Sequence, residues 1–368
     1  MHLWSHIIPA LKDKGHKVTV VARGQESICL LLNKYGIQYI IYGEASKTRY
    51  GKVLQLPLHL LKSLRSVRKF KPDTLLGTGL IEAYIAAFLR RSCIIFEDTE
   101  PTPSLERAQW KRLVSVILTP LCFRKDLGKK QIRFHGYKEL AYLHPNCFTP
   151  DRAVYDELSI NRDGKYVILR FSAFEAVHDI GRHGFSLPDK YQLIKELERY
   201  ASVFISTEGS LPPELGSYRL PIPFHRIHHA LYYAQLLVCD TGTMAWEAAV
   251  LGTPAIAYGS FTAQFGNFIE LEQKYDLLYC FRESGRAIKK ALELIQQPNL
   301  KEEWAEKRQR LLKDKVDLTG FMSWFIENYP ESFEIMKETP DYQNKFKQNT
   351  DVEIEAVFGA RPEIPRLR

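Results

Sequence analysis

Short apolar runs alternate with longer amphipathic stretches along most of the chain, the rhythm of strands and helices in a doubly wound parallel sheet. A helix over 3–14 closes at Gly15, followed by a strand over 17–22, a helix over 25–35 and a strand over 37–42. A leucine-rich helix spans 51–71, and then come a strand over 73–76, a helix over 80–90, and strands over 93–96 and 114–119. Between 145 and 163 the pattern loosens at Pro145, Pro150 and Asn161, which marks a linker. Strands over 166–171 and 202–206, with a helix over 191–200 between them, open a second sheet. Helices follow at about 227–234, 285–297, 301–313 and 318–328, with a strand at 277–281. From about Lys337 the period is lost. The fold class is α/β, with two Rossmann-like doubly wound domains, 1–150 and 151–335, facing a cleft, and a mobile tail over 336–368.

One stretch organises the rest: 236–260, LLVCDTGTMAWEAAVLGTPAIAYGS. Its apolar run 236–239 suits a strand covered on both faces. Asp240, Thr241 and Gly242 break the run, and Thr243 is placed to cap a helix over 244–251. Gly252 stands where a left-handed residue ends that helix, and Pro254 prevents its continuation. Residues 255–258 form the next strand. A loop of this kind, leading straight into a helix N-terminus, is an anion site, because free N–H groups and the helix dipole converge on it. Asp240, Thr241, Gly242 and Thr243 are therefore the diphosphate candidates. Glu247, one turn on, is within reach of ribose hydroxyls. It is not the acid of a capping box from Thr243, because the third position is Trp246.

Asp-Thr-Gly-Thr-Met-x-x-Glu followed by Leu-Gly-Thr-Pro resembles the donor-nucleotide element of GT-B enzymes. These include non-hydrolysing UDP-N-acetylglucosamine 2-epimerases and inverting transferases of the lipid-A-disaccharide-synthase and peptidoglycan type. The resemblance implies that Thr241, Gly242 and Thr243 face a diphosphate, that Glu247 faces the ribose, and that the last helix crosses back to the N-terminal domain. His135-Gly136-Tyr137-Lys138-Glu139-Leu140-Ala141-Tyr142-Leu143 and His178-Asp179-Ile180-Gly181 resemble a prokaryotic domain-of-unknown-function family, number three hundred and fifty-four, over roughly 2–330. That family has a strand and a His-containing loop ahead of the first helix. In a Rossmann-like half the first strand lies mid-sheet. The expectation here is that this strand is missing, by a misplaced start or by genuine loss, with His2 the remnant of the cleft-facing loop.

Composition narrows the class. Of 368 residues, 45% are hydrophobic and 26% charged, as in globular proteins, and two domains suit the length. No apolar run approaches the ~18 residues of a membrane span, and no basic segment opens a signal sequence. Six scattered cysteines without a CxxC pair read as reduced thiols, which points to the cytoplasm. Charge is uneven: residues 1–150 hold 24 Lys and Arg against 11 Asp and Glu. That suggests an anionic partner, either a lipid surface or an acidic acceptor, while no nucleic-acid-binding motif appears. The helix over 51–71, with Lys62, Arg65, Arg68, Lys69 and Lys71, reads either as a Rossmann helix with solvated bases or as a membrane-surface helix.

The catalytic candidates stand where ligands bind in open α/β sheets, beyond the carboxyl ends of strands. Glu97, Asp98 and Glu100 follow the strand over 93–96, and carboxylates packed together raise one another's pKa, which suits a general base. Gly77-Thr78-Gly79 opens a helix at the cleft edge, an acceptor candidate. Arg170, Ser172 and His178 lie at the first loop of the second domain, which in GT-B proteins meets the diphosphate. Ile222 and Phe224 are candidates for the slot of the base, with a core role the alternative for Phe224. His225, His228 and His229 have a spacing that can bind metal, but Tyr232 stands where a further acid is wanted, so no metal is assigned. The reading is inverting, metal-independent glycosyl transfer. The donor is a nucleotide sugar, which the resemblance implies is UDP-linked; the acceptor is a glycan or lipid-linked molecule. No other cofactor is required. The alternatives are a 2-epimerase, disfavoured because Phe171–Glu175 replaces that family's His-Arg-Arg-Glu-Asn segment, and a binding protein without catalysis.

Overall fold

The computed structural model describes residues 1–44, 49–98, 100, 110–171, 184–207, 209, 211–259 and 265–347, with backbone only for 49–54. The N-terminal half contributes β1 (Val20–Gly24), β2 (Tyr39–Glu44), β3 (Thr74–Gly77), β4 (Ser92–Phe96), β5 (Val116–Pro120) and β6 (Gln131–Phe134). The C-terminal half contributes β7 (Tyr166–Phe171), β8 (Ser202–Thr207), β9 (Leu236–Cys239), β10 (Ala255–Tyr258) and β11 (Leu278–Phe281). Those five form one sheet in the order β11-β10-β9-β7-β8, every pair parallel. Tyr166 to Leu169 and Leu236 to Cys239 are wholly buried, as apolar strands covered on both faces must be.

The sheet of the N-terminal half is in two pieces, β1-β2 and β3-β4-β5-β6. Both pieces share the same covering helices. On one side, Ile7 and Leu11 of the helix Ile7–Asp13 belong to the buried cluster that includes Ile94 and Phe96, and Ile8 to the cluster of Ala22 and Leu32. Leu60, Leu64 and Val67 of the helix Arg49–Phe70 belong to a second cluster with Leu75 and Val21. Yet among the described residues no ladder joins β1 to β3. The break falls where a Rossmann-like sheet carries its first strand.

Three expectations need correction. The strand β6 was not legible, because its polar positions hide it. Gln131 is buried between the Leu127 N–H, which it accepts at 2.8 Å, and Thr119 Oγ1, to which it donates at 2.9 Å. Arg133 fans across the carbonyls of Leu121, Phe123 and Lys125. The first helix is broken, with a 3-10 turn over His2–Trp4 ahead of Ile7–Asp13. Finally, the tail expected to be mobile over 336–368 is ordered as far as Lys347. It forms the helix Glu331–Glu338 and the 3-10 turn Pro340–Phe346. Gln343 accepts from the His135 N–H at 2.7 Å, and Phe346 and Tyr342 pack on Trp324. Residues 348–368 lie outside the described residues.

The two halves share a core. The helix Leu318–Glu327 returns to the N-terminal half, where Phe321 meets Phe134 and the Thr319 hydroxyl donates to the Ala141 carbonyl at 2.7 Å.

Candidate active site

At the end of β9 the helix Gly242–Leu251 begins two residues earlier than its hydroxyl pattern suggests. Thr241, not Thr243, is the N-cap, and its side chain makes no capping bond. The Thr241 hydroxyl is buried without a hydrogen-bond partner among the described residues, and so is the Trp246 indole N–H. Buried polar atoms are costly when unpaired. Two such atoms on one helix, with its free first-turn N–H groups, mark a site shaped for a polar ligand. The other end of the helix is as expected: Gly252 sits at φ 76°, which a residue with a Cβ adopts only under strain.

Arg170 and Asp240 meet beside this loop. Arg170 pairs in register with Cys239, its carbonyl accepts the Asp240 N–H at 3.2 Å, and its guanidinium donates to the Ser206 hydroxyl at 3.1 Å. Phe224 is 42% exposed in a 3-10 turn, so the core alternative for it falls. Ser172 and His178 lie outside the described residues.

Glu247 is 7% exposed and already engaged. Its Oε1 lies 3.0 Å from His228 Nε2 and accepts from the Tyr142 hydroxyl at 2.9 Å. No group among the described residues bonds its Oε2. Burial by itself pushes this carboxyl up, but His228, through charge and hydrogen bond, with His2 and Tyr142, outweighs burial and holds its pKa below the ordinary value. His2 completes the group: its ring stacks on Tyr142 with centroids 5.1 Å apart, and its Nδ1 is 3.0 Å from the Tyr35 hydroxyl. Burial first, then the neighbouring His228, pulls the His2 pKa down to about 4. The metal-spaced histidines are otherwise occupied: His228 by Glu247, and His229 by the Asp151 N–H, which it accepts at 3.1 Å.

The acidic loop after β4 divides by role. Glu100 is 4% exposed, and both of its oxygens are taken by backbone N–H groups, those of Arg124 and Gly266 at 2.6 Å each. Gly266 opens the helix Gly266–Gln273 of the other half. Glu100 is therefore a cross-brace and not a free base, which corrects its place among the catalytic candidates. Glu97 is buried at the strand end. Asp98 holds Lys138 Nζ at 2.8 Å, and Lys138 in turn lies 3.7 Å from Glu139 and 5.9 Å from the Trp246 ring. Burial works against the Lys138 charge, but Glu139 and Asp98 outweigh it and hold its pKa up.

Glu139 is fully buried, and neither carboxyl oxygen has a hydrogen-bond partner among the described residues. Burial chiefly, with the Asp98 charge adding to it and Lys138 opposing, pushes its pKa up to about 7. The carboxyl raised toward neutrality is thus Glu139, which sequence reasoning placed only in a family motif. Lys138 and Tyr142 were missed in the same way. The one local signal was a Lys-Glu pair in the turn after a strand. Their convergence with Asp98 and Glu247 comes from the topology.

No family model matches the chain, and no curated protein matches it. Solved structures do, at low identity. A Staphylococcus aureus MnaA–UDP co-structure is 12% identical, with a TM-score of 0.61 over 90% of this chain and 93% of that one. A UDP-GlcNAc 2-epimerase from Neisseria meningitidis bound to UDP-GlcNAc is 14% identical, with a TM-score of 0.59 over 90% and 96%. The glycotransferase of kitacinnamycin is 14% identical, with a TM-score of 0.56 over 89% and 95%. The fold is that of GT-B glycosyltransferases and UDP-GlcNAc 2-epimerases.

Proposed function

We propose that this protein is a GT-B enzyme that uses a nucleoside-diphosphate sugar, and that it transfers the sugar, inverting and without metal, to a glycan or lipid-linked acceptor. One observation carries the reading: the N-terminus of the helix Gly242–Leu251 has no side-chain cap, and among the described residues neither the Thr241 hydroxyl at its mouth nor Glu247 Oε2 one turn on has a hydrogen-bond partner. The diphosphate takes the helix N-terminus, with Thr241, Gly242 and Thr243 around it and Arg170 alongside. A ribose hydroxyl donates to Glu247 Oε2, and Phe224 covers the base. In the transfer step an acceptor hydroxyl attacks the anomeric carbon from the face opposite the leaving group. Asp98, at the end of β4, takes the hydroxyl proton as the new C–O bond forms. The bond to the diphosphate oxygen breaks, the electron pair leaves with the nucleoside diphosphate, and the helix dipole meets its charge. The structural neighbours that bind UDP or UDP-GlcNAc support a UDP-linked donor.

A second reading, 2-epimerisation, draws on Glu139, a buried carboxyl packed with Lys138 and Asp98. The experiment follows the fate of a UDP-sugar with and without candidate acceptors. Acceptor-dependent release of UDP supports transfer. Acceptor-independent conversion of the sugar supports epimerisation, and binding without either leaves only a nucleotide-sugar-binding protein.

A further inference from the structure

The helix Arg49–Phe70 packs its inner face on the sheet, but its outer face is not the plain solvated surface of a Rossmann helix. Leu61 is 65% exposed, Leu58 50%, and Phe88, on the neighbouring helix Leu80–Leu89, 69%. Leu61, Leu64 and Phe88 line a shallow groove of about 440 Å³ between the two helices, and Arg65, Arg68 and Lys69 form its other walls. Lys62, Lys71, Arg90 and Arg91, within or directly after the same two helices, are exposed, and 55–70 contains no acidic residue at all. Exposed apolar side chains and cations share this face.

We propose that this face docks on an anionic lipid surface, with Leu58, Leu61 and Phe88 entering the headgroup region and the basic side chains meeting lipid phosphates. Charge complementarity selects the occupant. A second copy of the chain packing face to face would set seven cations against seven. A nucleic acid would satisfy the charges but leave the exposed leucines and Phe88 in water. A bilayer surface answers both, because its headgroups are anionic and its interior is apolar a few ångströms deeper. No helix among the described residues is long and apolar enough to cross a membrane, so the contact is peripheral. Such docking would place the N-terminal half against the surface that holds lipid-linked molecules.

Vesicle co-sedimentation of the full chain tests this, with phosphatidylcholine vesicles and with vesicles of equal parts phosphatidylcholine and phosphatidylglycerol. The wild type is expected to bind the anionic vesicles, weakly at high salt, and to ignore the neutral ones. Arg65→Glu/Arg68→Glu/Lys69→Glu should lose on the order of a hundredfold in partitioning, from roughly fivefold per charge removed. Leu61→Ser/Phe88→Ser should weaken binding with its salt dependence unchanged. Circular dichroism and a thermal melt check that both variants remain folded, as exposed substitutions should. Equal binding by the wild type and the charge-reversed variant overturns the proposal, and so does no binding. A wild-type dimer that the same variants dissociate would assign the face to a second copy and overturn it too.

Discussion

The two halves of the molecule use the same element, a parallel strand followed by a covering helix, to different ends. The C-terminal sheet is continuous over five strands, and its central strand β9 is wholly buried. Among the described residues, two of its buried side-chain atoms without a hydrogen-bond partner, Thr241 Oγ1 and Trp246 Nε1, lie at and just inside the start of the helix Gly242–Leu251. The N-terminal sheet is split, its outer helices expose leucines among cations, and its polar atoms at the cleft are charges held together under burial: Asp98, Lys138 and Glu139. The contrast teaches a division of labour. In the proposed function, the C-terminal half holds the donor and the N-terminal half supplies the base and the open surface.

The joint between the halves offers the strongest way to break this picture. A Cβ on Gly266 would stand 1.9 Å from the Cys122 carbonyl oxygen, which is backbone and has little room to move. The Gly266 N–H is also held by Glu100 at 2.6 Å. Gly266→Ala should cost about 3 kcal/mol or more of stability by chemical denaturation, at the top of the range for overpacking. A near-neutral result would mean that the halves are not braced there.

A smaller effect separates the charged half from its partner. The Glu139 pKa rises on folding from 4.5 to about 7, so the folded protein holds a proton that the unfolded chain releases in that window. Stability attributable to Glu139 therefore falls as pH rises from about 4.5 to about 7. His2, whose pKa falls to about 4, acts in the opposite sense, but it is present in both proteins of a comparison. Glu139→Gln should gain stability relative to the wild type by roughly 1–3 kcal/mol on going from about pH 5 to about pH 8. Parallel pH profiles for the two proteins would remove Glu139 from the account.

Legibility in the sequence follows the same divide. In the C-terminal half the signals are local: an apolar run, a loop, a helix and Gly252 lie in one stretch, and β7 and β9 stand at the residues their patterns mark. In the N-terminal half the signals are not local. Gln131 and Arg133 are polar because they bind carbonyls and side chains of neighbouring loops, so β6 does not read as a strand. Glu100 looks like its neighbour Asp98 until the fold brings Gly266 to it. Glu139 has no periodicity to betray it, since its charged neighbours Asp98 and Glu247 are distant in sequence. The ordered tail was missed for the same reason, because its partners Trp324 and His135 are distant in sequence.

The most direct test of the central claim is calorimetric titration of UDP, GDP and CMP into the wild type and Glu247→Gln. The account predicts micromolar binding of one nucleotide, weakened about tenfold in the variant, a loss of ~1.4 kcal/mol. Failure of all three to bind a folded wild-type protein, or equal binding by the variant, would contradict it.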